Sequence, residues 1–210
     1  MNVLAQPRLP GAPDDAAPLV ERCRGGDQDA FRELFERFHG RVYATIYHLV
    51  SRKDELEDVV QKVFLEVFRS LHRFEGRARF STWLTRVAIN VAHGHERKLR
   101  LLDRSRQAAA DRLREGFVVI DGGQDRPDEQ LALRERAGAA RTLLAKLSRK
   151  KRTVLVLAEM MEMTAPEIAD VLDIPPATVR TRLYYARRDF ERIARKHPAF
   201  AALWREQEAP

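Results

Sequence analysis

The sequence predicts an all-α protein built as two small helical domains joined by a flexible linker. Three observations carry this expectation. Apolar residues recur at spacings of three and four over most of the chain, the period that lines one face of a helix. Strand signals are nearly absent: the one short candidate, "FVVI" at 117–120, sits between charged residues and "DGG". The apolar stripes also fail together over about 101–130, a stretch that opens basic (Arg104, Arg106, Arg112, Arg114) and closes acidic (Asp121, Asp125, Asp128, Glu129). The expected organisation is a lead-in over 1–18, a first domain over 19–98, a linker over 99–130, a second domain over 131–197 and a tail over 198–210. Domains of roughly 65–80 residues are small but large enough for a helical core.

The lead-in, "MNVLAQPRLPGAPDDAAP", is rich in Pro, Ala and Gly, lacks the apolar core of a signal peptide and reads as disordered. From Asp27 the pattern is helical, with Phe31, Leu34, Phe35, Phe38, Val42, Ile46 and Leu49 on one stripe and Asp27 and Asp29 suited to the first turn, where carboxylates meet free N–H groups. In "DELEDVVQKVFLEVFRSLHRF", Leu56, Val59, Val60, Val63, Phe64, Val67, Phe68 and Leu71 make one apolar face. "EGRAR" interrupts, and a third helix is expected from a cap near Ser81. In the second domain Thr164 and Glu167 form a capping box with Pro166 in the first turn. Ile168, Ala169, Val171 and Leu172 then give a short helix its buried side, and "DIPP" ends it. A further helix is expected from Pro176 or Ala177, buried along Val179, Leu183, Ala186, Phe190 and Ile193.

Lysine and arginine number 38 against 31 acids, a charge of +7 that favours an anionic partner. Two helices across a short break, the second one basic, describe a helix-turn-helix, whose second helix enters the major groove by its N-terminal end. Thr178, Arg180, Thr181, Arg182, Tyr184 and Tyr185 lie off its buried stripe. Asp173 stands in the turn where glycine is common, and aspartate tolerates the left-handed backbone such a turn uses. On the third helix of the first domain, Trp83, Arg86, Asn90, His93 and Arg97 share a stripe apart from Phe80, Leu84, Val87, Ala88 and Val91. A tryptophan, an amide and cations in line suit unstacked bases and phosphates, although Trp83 alone could equally complete the core. Asp58, Gln61, Lys62, Leu65 and Arg69 lie opposite the second helix's apolar face, and Leu65 among them suggests a protein-docking surface.

The single cysteine, Cys23, forms no internal disulfide and fits a reducing cytosol. The six histidines show no metal-ligand spacing, "HGHER" is not HExxH, and no phosphate loop or nucleophile elbow occurs, so no enzyme, metal or cofactor is expected. No stretch approaches the length of a membrane span. A stand-alone transcriptional regulator with a helical sensor domain would explain the second domain equally well, but not the Trp83–Asn90–Arg97 stripe.

The two blocks together match a family. "LEDVVQKVFLEVFRSLHRFEGRARFSTWLTRVAINVAHGHERK" resembles region 2 of bacterial RNA polymerase sigma factors, and "LSRKKRTVLVLAEMMEMTAPEIADVLDIPPATVRTRLYYARRDFERI" resembles region 4. Their order, with no middle domain, is similar to the extracytoplasmic-function group of the sigma-70 family. The resemblance implies a cytoplasmic partner of polymerase core, its β′ clamp helices and β subunit, and of promoter DNA. It places core binding on Asp58, Gln61, Lys62 and Leu65. It places −10 contacts on Phe74, Arg77, Arg79, Ser81, Trp83, Arg86, Asn90 and Arg97, with the "EGRARFS" loop and Phe74 shaping a pocket for a flipped base. It places −35 contacts on Thr178, Arg180, Thr181, Arg182 and Tyr185. Many such factors are held inactive by an anti-sigma factor; the sequence leaves that open here. Departures from the family pattern are Ser148, where proline is frequent and serine is expected to cap instead, Ala177 in place of glycine, and Tyr185 where a basic residue is common.

Overall fold

The structure, a computed structural model, describes residues 16–110, 138–198 and 200. Among these residues every regular element is helical. The first half comprises α1 (Ala17–Arg24), α2 (Gln28–Leu49), α3 (Leu56–Ser70), a 3₁₀ turn (Leu71–Arg73) and α4 (Phe80–Ala110). The second comprises α5 (138–145), α6 (Arg149–Glu159), α7 (Ala165–Leu172) and α8 (Pro176–Ala194). The "FVVI" segment, most of the expected linker, nearly all of the lead-in and the end of the tail lie outside the described residues. The expected linker begins inside α4, which runs on past Lys98 to Ala110, and the expected lead-in ends inside α1.

The local signals act as their chemistry requires. The Asp27 carboxylate accepts from the Ala30 N–H at 3.0 Å and caps α2. Leu34, Phe38, Val42, Ile46 and Leu49 are buried, and Phe31 and Phe35 are half-buried at the margin. On α3, Leu56, Val59, Val60, Val63, Phe64 and Val67 are buried, but Phe68 is 65% exposed, contrary to its place on the expected apolar face. The apolar arc of α3 is wider than its neighbours cover, and at its edge Phe68 meets only the rim, packing edge-on against Phe31 at 5.2 Å. Ser81 is not the cap of α4: the helix starts at Phe80, with the Thr82 and Trp83 N–H groups donating to the Arg79 carbonyl.

In the second half the capping box forms in both directions, the Thr164 hydroxyl accepting from the Glu167 N–H and the Glu167 carboxylate from the Thr164 N–H at 2.8 Å. Those N–H and O–H donors hold the Glu167 carboxyl below its ordinary range. Asp173 closes α7 in the left-handed region at φ 52°, and α8 begins at Pro176. Ser148 occupies the N-cap position of α6, but its hydroxyl makes no capping bond, against the expectation. The two halves also touch. α7 lies against α4 and α6 against α2, and the buried apolar side chains of both halves join in one cluster.

Candidate nucleic-acid interface

α8 sorts its own arginines. Val179, Ala186, Phe190 and Ala194 are buried against the second half, which turns the opposite face outward. Arg180, Thr181, Tyr184 and Tyr185 are exposed there, and Thr178 and Arg182 are half-buried. Neither Arg180 nor Arg182 enters an ion pair among the described residues, whereas further along the helix Arg187 pairs with Glu159 at 2.7 Å and Arg195 with Glu191 at 2.8 Å. The unengaged guanidiniums therefore lie in the N-terminal part of α8, the part that enters the groove in a helix-turn-helix. Thr181 donates back to the Ala177 carbonyl at 3.0 Å, which leaves its oxygen free to accept.

Two further side chains join this face. Tyr184 is exposed beside Tyr185, the rings 5.3 Å apart, and the Arg188 guanidinium lies 5.7 Å from the Tyr184 centroid. Lys151 of α6 bonds Asp189 at 2.6 Å and sits 5.7 Å from the Tyr185 ring, so one ammonium braces both side chains. The Asp189 carboxyl is held below its ordinary range chiefly by that bond. Tyr184 was visible off the buried stripe; Lys151, 38 residues from Asp189, had no local signal.

On α4 and the loop before it, Arg77, Arg79, Arg86, Asn90 and Arg97 are exposed, and Ser81 and Trp83 are half-buried. Phe74 is buried: its ring packs 5.5 Å from both Phe80 and Trp83, with the Arg24 guanidinium 6.0 Å away. Trp83 also lies 5.6 Å from Phe80, so it stands on an aromatic base with part of its ring in solvent. Arg77 is drawn to Glu75 at 2.7 Å, and the Asn90 amide is unbonded among the described residues. Arg97 shares a hollow with His93, Arg100, Leu101 and Arg149, a basic surface assembled from both halves. Arg100 and Arg149 were not foreseen; the three-residue step from Arg97 to Arg100 is a signal that could have found the first.

Two α4 side chains are engaged by the second half. The Arg86 Nε–H donates to the Val171 carbonyl at 3.0 Å and a second Arg86 N–H to the Asp170 carbonyl. The His93 Nε2 lies 2.9 Å from the Thr153 hydroxyl, which itself donates to the Arg149 carbonyl at 2.9 Å. Since that hydroxyl proton is committed, the His93 Nε2 carries the hydrogen and donates. Burial, reinforced by Arg149, Arg152 and Arg100, pushes the His93 imidazole down to about 4.

On α3, Asp58, Gln61, Lys62 and Leu65 are all exposed. Lys62 pairs with Asp58 and holds its carboxyl below the ordinary range. Leu65 is 54% exposed, and Phe68, one helical step further along the stripe, extends the apolar strip. The Gln61, Leu65, Phe68 spacing of four and three could have moved Phe68 from the expected core to this surface. No described helix is long and apolar enough to cross a membrane.

The chain is similar to known proteins along both halves. Residues 34–102 match the sigma-70 region 2 family and residues 137–190 match sigma-70 region 4. It is 33% identical over 179 residues to the ECF RNA polymerase sigma-E factor of Haemophilus influenzae, covering 82% of this chain and 92% of that one. It is 29% identical over 171 residues to the ECF RNA polymerase sigma factor SigW of Bacillus subtilis, covering 80% and 90%. Among solved structures, CnrH in complex with the cytosolic domain of CnrY superposes with a TM-score of 0.61 at 23% identity, over 86% of this chain and 97% of that one, a likeness of fold.

Proposed function

Because the chain belongs to the extracytoplasmic-function (ECF) group of sigma-70 RNA polymerase factors, we propose that it binds polymerase core, reads the −10 and −35 promoter elements and directs transcription initiation in the bacterial cytoplasm. The observation that carries this reading is the pairing, in one chain, of two different DNA-facing surfaces. α8 offers Arg180 and Arg182, which enter no ion pair among the described residues, to a duplex, where a guanidinium can bond a guanine edge bidentately. α4 offers Trp83 on its aromatic base, the exposed Asn90 amide and Arg97 to an opened strand, where stacking and base-edge bonds do the reading. A regulator that binds only duplex DNA has no use for the second surface. The buried Phe74 acts on this reading as the platform that sets Trp83. The α3 strip of Asp58, Gln61, Lys62 and Leu65, extended by Phe68, is the docking face for core. Catalysis belongs to the polymerase.

The test is transcription in vitro with purified core polymerase on genomic fragments. The wild-type chain is expected to start transcription at discrete promoters, and Asn90→Ala to bind core normally while losing permanganate reactivity of the melted strand. No promoter-dependent transcript from the wild-type holoenzyme would overturn the proposal; normal melting by Asn90→Ala would remove α4 from it.

A further inference from the structure

Among the side chains read above as −35 contacts, Tyr185 is held by a second helix. The Lys151 ammonium, on α6, lies 5.7 Å from the Tyr185 ring centroid and bonds the Asp189 carboxylate at 2.6 Å. Tyr185 and Asp189 stand four residues apart on α8 and are neighbours on its surface, so the ammonium is pinned beside the ring by the acid that follows it. Tyr184 meets Tyr185 near a right angle with the centroids 5.3 Å apart, and the Arg188 guanidinium lies 5.7 Å from the Tyr184 centroid. Both tyrosines are about half exposed, so packing against the core fixes neither ring fully. The ammonium, by contrast, has a firm base. Lys151 stands in the first turn of α6, a helix that packs along α8 and buries Val154, Leu155 and Leu157. Its charge is also spent locally. From Ala177 to Arg188 the charged residues of α8 are all arginines, and Asp189 is the first acid after them. An ammonium paired with that carboxylate adds little net charge toward a phosphate, which separates a bracing role from a backbone contact.

We infer that Lys151 is a positioning residue for −35 recognition: pinned by Asp189, it holds the Tyr185 ring in the orientation that meets the base edges, so that α6 supports a sequence preference it does not itself read. The inference rests on the reading of α8 as the −35 helix. A tyrosine free to turn about its side-chain torsions has to be ordered when DNA binds, and that ordering offsets part of the contact; a ring held in advance keeps more of it. In the major groove such a ring can meet a thymine methyl, a contact that distinguishes bases, whereas a phosphate contact does not.

The experiment measures binding of holoenzyme, formed from the full chain and core polymerase, to two labelled duplexes of a promoter found by transcription, one with its −35 element intact and one with it scrambled. Lys151→Met keeps an aliphatic stem and removes the charge. It is expected to lower the preference for the intact element by about 2- to 10-fold, the range of one exposed cation–π contact and one half-exposed ion pair, without changing the salt dependence. Lys151→Arg, which keeps a cation, is expected to restore the preference, and Asp189→Asn, which unpins the ammonium, to lower it in the same direction. In a Tyr185→Ala chain, Lys151→Met is expected to have no further effect on the preference, because the ring it holds is gone. Circular dichroism checks that each variant keeps its helices. Equal weakening on both duplexes, with a salt slope smaller by about one, would make Lys151 a phosphate contact and overturn the inference. Full preference in Lys151→Met, or an undiminished effect of that substitution in the Tyr185→Ala chain, would overturn it too. Failure of the underlying −35 reading shows elsewhere, as unchanged preference in Arg180→Ala and Arg182→Ala holoenzymes.

Discussion

Lowering the pH will loosen this protein, because two imidazoles near the junction of the halves, His48 buried and His93 half-buried, are held neutral. His48 of α2 is 6% exposed, and burial, with Arg141 nearby, pushes it from 6.5 to about 4. His93 of α4 is pushed to the same value by burial and by Arg149, Arg152 and Arg100, against which Glu96 pulls weakly. The sign follows from which state takes the proton. Above about 6.5 both states are neutral and stability is intact; between 6.5 and about 4 the unfolded chain binds protons that the folded chain refuses, so stability falls; below that the two states titrate together. With one pKa unit equivalent to about 1.4 kcal/mol, each histidine withdraws about 2 kcal/mol by pH 5 and about 3 kcal/mol by pH 4. Two of them amount to about half the stability of a typical domain. The carboxyls held low at Asp27, Asp58, Glu167 and Asp189 begin to lose their contribution as pH falls through their ordinary values of 3.8 and 4.5, so they matter little at pH 5 and enter equally in wild type and variant below it. The assay is urea unfolding at several pH values between about 7.5 and 4 for wild type and His93→Gln. Glutamine can still donate an N–H toward Thr153 but does not titrate. The variant is expected to keep about 2 kcal/mol more of its neutral-pH stability at pH 5 than wild type does. Parallel profiles for the two proteins would refute the placement of a neutral imidazole at this contact.

Arg180→Ala and Arg182→Ala are each expected to remove about 1–3 kcal/mol of discrimination between cognate and scrambled −35 duplexes, measured with holoenzyme at one fixed salt concentration. Arg187→Ala, which loses an exposed pair with Glu159 worth about 0–1 kcal/mol, should leave discrimination unchanged. Thr164→Ala should destabilise the fold by about 1 kcal/mol through loss of the capping box, with Thr164→Ser near wild type in urea melts. Phe68→Ala should lower stability by less than about 1 kcal/mol and weaken capture by core polymerase, whereas Phe64→Ala, wholly inside the bundle, should cost about 3–5 kcal/mol. A Phe68→Ala chain that binds core like wild type would detach that ring from the docking strip.

What could be read along the chain is what neighbours in sequence decide. The Asp27 cap, the Thr164–Glu167 box, the left-handed Asp173 and the start of α8 at Pro176 each involve residues within a few positions of one another, so the linear pattern contains the whole interaction. The stripes of α2 and α8 were legible for the same reason, since a 3.6-residue period assigns faces without reference to the rest of the molecule. That period does not say how much of a face is covered. Phe68 looks like core in sequence yet lies at the uncovered edge of α3, while Phe74, expected to shape a pocket for a flipped base, is sealed between Phe80 and Trp83. Charge in sequence likewise does not say which arginines are spent. Arg187 is tied to Glu159 from 28 residues away, and Arg86 to carbonyls 84 and 85 residues away, whereas Arg180 and Arg182 are left to bind something else. Burial and long-range pairing depend on where distant helices come to rest, and that is settled when both halves pack into one cluster.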